Sequence, residues 1–305
     1  MDFRQLEMFR AIVETGSFTG AGAKLRVSQS AVSRQIKLLE EELGDQLFRR
    51  VHRKVHLTAT GEILLRHTER IFNEIRLLNS HLSDAGRLRR GRLFLAGGMS
   101  VCTYLFPYLL KEYRKRHPNV DLRIATGTTE EILRMLRNSE VDIALLSLPF
   151  EDPDLKIRHA QTEEMVLVMD RNHPLVAKTE ISFTDLVPYT FIHFEKGSNT
   201  RRLLESVFAR EGIEFDRIME LQNVEITKPL VEKGLGISFV PYPSVSGEST
   251  RPGLIYRRVA GKPVYRELGW VFIRSDYIPR TVEQLLSLFE EMKPSFVPIA
   301  PQELD

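Results

Sequence analysis

GSFTGAGAKLRVSQSAVSRQIKLLEEELGDQLFRRVHRKVHLTATGE, residues 16–62, is the stretch that decides how this chain folds. Ser17 and Ser28 each stand just ahead of a periodic apolar run, where a hydroxyl can accept a first-turn N–H and start a helix. The first of these helices is short and carries Ala21 and Leu25. Gly20 and Gly22 inside it each weaken it by roughly 1 kcal/mol relative to alanine. Val27 then turns the chain into a second helix running from Gln29 to about Leu43 and ended by Gly44. Val32, Ile36, Leu39 and Leu43 fall on one face of it, leaving Arg34 and Lys37 available to a partner. In RRVHRKVHLT (49–58), Val51, Val55 and Leu57 approach strand alternation around a basic turn at Arg53-Lys54, which predicts a small hairpin or wing.

Working outward, Leu6, Phe9, Ile12 and Val13 predict an amphipathic helix that stops near Gly16. Downstream, residues 60–88 predict one long helix. Leu64, Thr68, Ile71, Ile75, Leu78 and Leu82 step along it by four and three, a near-heptad seam with one polar defect. Such a seam suits a partner helix or packing on its own domain. Residues 87–91, RLRRG, look like a hinge.

From residue 92 strands and helices alternate. RLFLAGG (92–98), DLRIAT (121–126) and DIALLSL (142–148) read as strands, with helices at 104–117 and 130–137. A second set follows: strands at 165–170, 190–194, 218–222 and 236–240, with helices at 200–211 and 225–233. LGWVFI (268–273) and a helix at 281–292 look like a return to the first lobe. This order predicts a mostly parallel sheet with right-handed crossovers. The three prolines from 294 onward predict an extended or frayed tail.

Bulk properties narrow the class. The 305 residues suffice for two domains. Hydrophobic content of 42% with 28% charged residues is that of an ordinary globular protein, and no apolar run reaches the length of a membrane span. The charged, amphipathic amino terminus does not resemble a secretory signal, so the expectation is a cytoplasmic protein. A net charge of +2 hides an asymmetry: residues 1–90 hold 16 Lys and Arg against 11 Asp and Glu, the remainder 27 against 30. A positive head on a mildly negative body suits a polyanion-binding module joined to something else.

The chemistry of the head agrees. A helix can lay its first turns into a major groove while neighbouring elements grip phosphates. Gln29, Ser30, Ser33 and Arg34 occupy those turns, and each residue type can pair with base edges. Arg49, Arg50, Arg53 and Lys54 put cations on the wing, where phosphates or a minor groove would lie.

These residues resemble the DNA-binding segment of LysR-type transcriptional regulators: the SQSAVSRQI core, the LEEELGDQLF connection and the LTATG lead-in to a linker helix. The resemblance continues through YRKRHPNVDLRI, EVDIALL and EKGLGISFVP to cover the whole chain. Gly20 and Gly22 depart from it, standing where the family often has alanine. The resemblance implies an α/β architecture with a winged helix-turn-helix at 1–58, a dimerisation linker helix at 59–90 and an effector domain at 91–305. That last domain is similar to periplasmic binding proteins, with lobe I at about 91–162 and 268–305 and lobe II at about 163–267. It further implies a sequence-specific regulator that binds promoter DNA as a homodimer or homotetramer and answers to a small-molecule effector between the lobes. Gln29, Ser30, Ser33 and Arg34 would meet bases, with Arg50 and Arg53 on phosphates. RNA polymerase is a further candidate partner; no cofactor, metal, membrane or catalytic residue is implied.

The cleft can be approached from the residues too. Ligands of doubly wound sheets sit beyond the carboxyl ends of strands, near helix amino termini that favour negative charge. The junctions here carry Ser100 and Cys102, Thr128, Ser147, His193, Thr200, and Val224 after Asn223. Their hydroxyls favour a carboxylate or other small anion, while Glu195 and Glu225 would suit a cationic or neutral ligand. Cys102, the only cysteine, has no resolving partner, though a helix amino terminus could lower its pKa. His52 and His56 have a metal-like spacing but sit in the wing, where they do not share a helical face. Two other classes stay in view: a small-molecule enzyme or transport receptor, which lacks a P-loop or GxSxG elbow here, and a nucleoid protein that binds DNA without sequence preference.

Overall fold

The computed structural model describes residues 1–51, 54–85, 91–222, 224–247, 251–259, 263–275 and 277–296. It divides into two compact units, Met1–Asn79 and Ser80–Asp305. No helix among the described residues is long and apolar enough to cross a membrane.

The first unit begins with helices α1 (Phe3–Thr15), α2 (Phe18–Leu25) and α3 (Gln29–Leu43). The Ser17 hydroxyl accepts the Gly20 N–H at 3.0 Å and the Ser28 hydroxyl accepts that of Ala31 at 3.2 Å, the two caps the sequence predicts. Gly16 and Gly44 close α1 and α3 in the left-handed conformation. Phe9, Ile12, Ala21, Val32, Ile36 and Leu39 form the core. Leu43, expected on that face, is instead 40% exposed, at the last residue of α3. Gly22 has a packing role: a Cβ there would lie 2.8 Å from the Val27 carbonyl, so its absence lets α2 close onto the turn before α3.

The wing is as expected, with β1 (Phe48–Val51) antiparallel to β2 (Lys54–Leu57). A long helix α4 (Ala59–Ala85) follows. Its start is tightly built. Thr58 Oγ1 donates to the Gln46 carbonyl at 2.6 Å and accepts the Gly61 N–H at 3.0 Å. A Cβ on Gly61 would fall 2.3 Å from the Leu47 carbonyl oxygen, so only glycine fits without movement.

The second unit contains β3 (Arg92–Gly97), α5 (Met99–Tyr104), α6 (Phe106–Arg116), β4 (Asp121–Thr126), α7 (Thr129–Arg137) and β5 (Ile143–Ser147). The chain then crosses on β6 (Leu155–Asp170) to β7 (Phe191–Phe194), α8 (Asn199–Glu211), β8 (Ile218–Leu221), α9 (Val224–Glu232) and β9 (Ser238–Pro241). It returns through β10 (Leu254–Arg257), β11 (Val264–Ile273) and α10 (Arg280–Met292). The helix expected at 104–117 is α6, with Pro107 in its first turn, where its missing N–H costs nothing, and the unexpected short α5 precedes it and meets it at Leu105.

The sheet order corrects the expectation of a mostly parallel sheet. The large sheet runs β10-β6-β11-β5-β3-β4, with β9 also on β6. Among the described strands the β3–β4, β3–β5 and β7–β8 pairs are parallel; β6 and β11 are antiparallel to each other and to their other neighbours. The physical reason is that β6 and β11 are long crossing strands that serve both lobes, so the chain passes between lobes along the ladder and not through a helix. On one side Trp270, Tyr113, Phe106 and Phe289 fill a core with α10 packed into it, the predicted return. On the other, Phe183, Phe191, Phe208 and Phe239 make an aromatic core.

Candidate functional site

In the first unit, Val32, Ile36 and Leu39 hold α3 by its inner face. Gln29, Ser30, Arg34 and Lys37 are exposed and Ser33 is half-buried. At about 100° per residue, positions 30, 33, 34 and 37 share one side of the helix. Arg34 has no ion-pair or hydrogen-bond partner among the described residues, whereas Lys37 lies 3.7 Å from Glu41. The Ser28 cap keeps the amino-terminal turn ordered, and Glu40 Oε1 accepts the Leu47 N–H at 2.8 Å, tying the far end of α3 to the wing. Arg49 is exposed on β1 opposite His56. Arg50 lies on β1 opposite Val55, and Arg53 and His52 lie outside the described residues.

The second unit has a cleft of about 80 Å³ where strand ends and helix starts from both lobes converge. Of the effector candidates, Ser100, Thr128, Ser147, Thr200 and Val224 line it together. Asn223 lies outside the described residues. The Ser147 hydroxyl is buried with no hydrogen-bond partner among the described residues. Thr128 caps α7 reciprocally with Glu131: Oγ1 accepts the Glu131 N–H at 3.3 Å, and the Thr128 N–H reaches Glu131 Oε2 at 2.8 Å. Ser198, ahead of α8, makes no side-chain cap, so the first N–H groups of that helix remain for a ligand.

Two candidates fall elsewhere. His193 is 3% exposed and packs edge-on to Phe191, at 5.2 Å between ring centroids, and against Phe208. Strand alternation turns it into the aromatic core, and the neighbouring Phe194 lines the cleft instead. Its Nδ1 accepts the Phe194 N–H at 3.0 Å, its Nε2 has no hydrogen-bond partner among the described residues, and burial holds its pKa down at about 4. Cys102, two residues beyond Ser100 on α5, turns inward, with Sγ 3.4 Å from the Gly97 carbonyl. Burial pushes its thiol up to about 11, the reverse of the activation that a helix amino terminus would give.

The residue that sequence reasoning missed is Arg266. It lies on β11 directly opposite Glu163 on β6, and both side chains are at most 5% exposed. Arg266 donates to Glu163 Oε2 through Nε at 2.8 Å and through Nη2, which also reaches the Ser100 hydroxyl at 3.0 Å. Its Nη1 is 3.5 Å from Thr200 Oγ1. One guanidinium thus touches hydroxyls from both lobes at the cleft floor. The signal available was the inward alternation of Val264, Arg266 and Leu268. Asn199 also bridges the lobes, donating from Nδ2 to the Ser147 carbonyl at 2.7 Å. Glu195 stands at the same cleft with its pKa raised, by burial first and then by Glu131 and Glu220. Among the described residues no group of three or more His, Cys, Asp or Glu is placed to hold a metal ion.

Known proteins resemble this chain in sequence and in fold. The family described as "Bacterial regulatory helix-turn-helix protein, lysR family" matches residues 3–62, and "LysR substrate binding domain" matches residues 86–293. The chain is 32% identical over 282 residues to the HTH-type transcriptional activator CmpR of Synechocystis sp., covering 92% of each protein. In fold it is similar to full-length OxyR from Pseudomonas aeruginosa, with a TM-score of 0.74 at 24% identity over 95% of each chain. It is also similar to full-length CbnR complexed with its target DNA, with a TM-score of 0.64 at 23% identity over 95% of this chain and 99% of that one.

Proposed function

Because the chain belongs to the LysR family of bacterial transcription regulators, we propose that it reads a promoter with α3 and senses a small anion in the cleft of its second unit. It is a DNA-binding regulator with an effector-binding domain, and its family consists of regulators rather than enzymes.

The observation that carries the DNA reading is the exposed first half of α3, where Gln29, Ser30 and Arg34 face outward and the guanidinium is unspent among the described residues. Gln29, Ser30, Ser33 and Arg34 are the proposed base contacts, with Arg50 and Arg53 of the wing on phosphates. The protein would work beside the chromosome, in the cytoplasm. As to assembly, Ile71, Ile75 and Leu78 on α4 are 39%, 37% and 54% exposed, an apolar stripe that supports a homodimer through this helix. A tetramer built from such dimers is the further possibility within the same reading.

For the effector, the cleft offers hydroxyls, the uncapped start of α8 and the Arg266 guanidinium in its lining. Glu163 already balances the Arg266 charge, so an anion there would be held by hydroxyl and N–H donors and not by a net positive charge. A cleft volume of about 80 Å³ suits a small ligand. A small carboxylate or oxyanion fits both.

Selection from a genomic DNA library by the purified full-length protein at moderate salt tests the reading, followed by footprinting with and without small carboxylates. The expected result is a defined footprint whose extent changes with the anion. Retention of all fragments alike would make the protein a non-specific binder and end the proposal.

A further inference from the structure

Among the described residues two charged side chains line the cleft, Arg266 and Glu195, and they are not equivalent. The guanidinium is neutralised by Glu163. Glu195 has no such counterpart. Its carboxylate makes no ion pair or hydrogen bond with the described residues, and its pKa is raised by burial, then by the negative charges of Glu131 and Glu220. The Glu131 carboxylate belongs to the opposite lobe, where it accepts the N–H of Thr128, itself in the cleft lining. Arg201, the cation in the first turn of α8, is spent on Glu205 at 2.7 Å and on Glu220 at 2.6 Å. The cleft therefore carries one negative charge that nothing balances.

The rest of its polar lining offers donors. Ser100 Oγ accepts from Arg266 Nη2 at 3.0 Å, and Thr200 Oγ1 lies 3.5 Å from Nη1. A hydroxyl that accepts from a guanidinium keeps its own proton to give, and neither gives it to a described residue. The first N–H groups of α8, a helix of 13 residues with no side-chain cap, add further donors. These donors and Glu195 are close neighbours. The Ser198 N–H donates to the Glu195 carbonyl at 3.3 Å, and the four-residue turn it closes keeps its end Cα atoms within about 7 Å. Ser198 is the residue from which α8 starts. A simple anion would satisfy the donors and be opposed by Glu195. A simple cation would satisfy Glu195 and leave the donors unused.

We propose, resting on the reading of the cleft as the effector site, that the effector is a small zwitterion of the amino-acid type. Its carboxylate is held by the Ser100 and Thr200 hydroxyls and the start of α8, and its ammonium by Glu195. A cleft of about 80 Å³ suits a ligand of that size.

The test uses the full-length protein at neutral pH with two probes, glycine and acetate, which is glycine without its ammonium. Both give a single carbon-bound proton signal, so ligand-detected magnetic resonance titration reads them alike. Glycine is expected to bind about tenfold more tightly than acetate, the worth of one charge-assisted hydrogen bond. Glu195→Gln is expected to weaken glycine about tenfold while tightening acetate, opposite signs that a damaged fold does not produce. Thr200→Val is expected to weaken both probes. Glycine binding no tighter than acetate, or glycine binding unchanged in Glu195→Gln, would overturn the zwitterion and leave the anion cleft standing. Failure of both probes to bind the parent protein would overturn the cleft reading as well.

Discussion

Breaking the Glu163–Arg266 pair should cost far more than removing it. Both side chains are at most 5% exposed, and Arg266 places two N–H groups on Glu163. Glu163→Gln keeps the shape but leaves a guanidinium buried without its counter-charge. Arg266→Met leaves a buried carboxylate with, among the described residues, the Gln161 amide as its remaining donor. Each single change is expected to destabilise the second unit by about 3–5 kcal/mol, whereas the double variant should lose no more than about 2 kcal/mol, because it buries no unpaired charge. Trp270, the only tryptophan, is fully buried between Phe106 and Phe289 in this unit, so its emission in a urea titration reports this unit alone. With a slope of about 2–3 kcal/mol per molar urea, each single variant should lower the midpoint by about 1–2 M. The double variant should lie closer to the parent than either single. Single variants within about 1 kcal/mol of the parent, or a double variant as weak as the sum of its parts, would refute the reasoning.

Four further expectations use other parts of the molecule. Gly61→Ala should destabilise the DNA-binding head by about 1–3 kcal/mol despite alanine's better helix propensity, since the added carbon meets the Leu47 carbonyl; unchanged thermal stability of that transition would show that the helix start can yield. His193, with its pKa depressed to about 4, is protonated first in the unfolded chain. Stability is therefore full above pH 6.5 and falls by about 3 kcal/mol as pH drops to 4, and His193→Phe should remove that part of the slope; parallel pH profiles for the two proteins would exclude it. Glu195 opposes an anion in the cleft when ionised, so nitrate, which stays ionised throughout, should bind more tightly as pH falls through its raised pKa. Glu195→Gln should tighten nitrate binding by about fivefold at neutral pH and flatten the dependence, and a variant that binds like the parent counts against the cleft assignment. Ile71→Asp combined with Leu78→Asp should dissociate the assembly, because two charges would enter the apolar stripe of α4; sedimentation at the parent's mass would rule that stripe out as the interface.

Serine caps ahead of periodic apolar runs, glycines at helix ends and the valines flanking a basic turn are local signals, and they were enough for α1, α2, α3 and the wing. Local rules suffice there because each helix is started and stopped by residues within three or four positions of its ends. The strand-to-helix junctions at Ser100, Thr128, Ser147, Thr200 and Val224 were legible for the same reason, and they do meet in one cleft. His193 marked the right strand end but the wrong face, since alternation in a four-residue strand is too short to set its own phase. The first half of β6, LKIRHAQTEE, reads as surface, yet Gln161, Glu163 and Glu164 within it are buried. What makes them tolerable lies far along the chain: Arg266 for Glu163 and Arg258 for Glu164. Sequence by itself thus determined the elements whose stabilising partners are near neighbours. The tertiary structure alone decided the mixed sheet and the charged wall beneath the cleft, because a buried charge is permitted only by a partner that folding brings from about a hundred residues away.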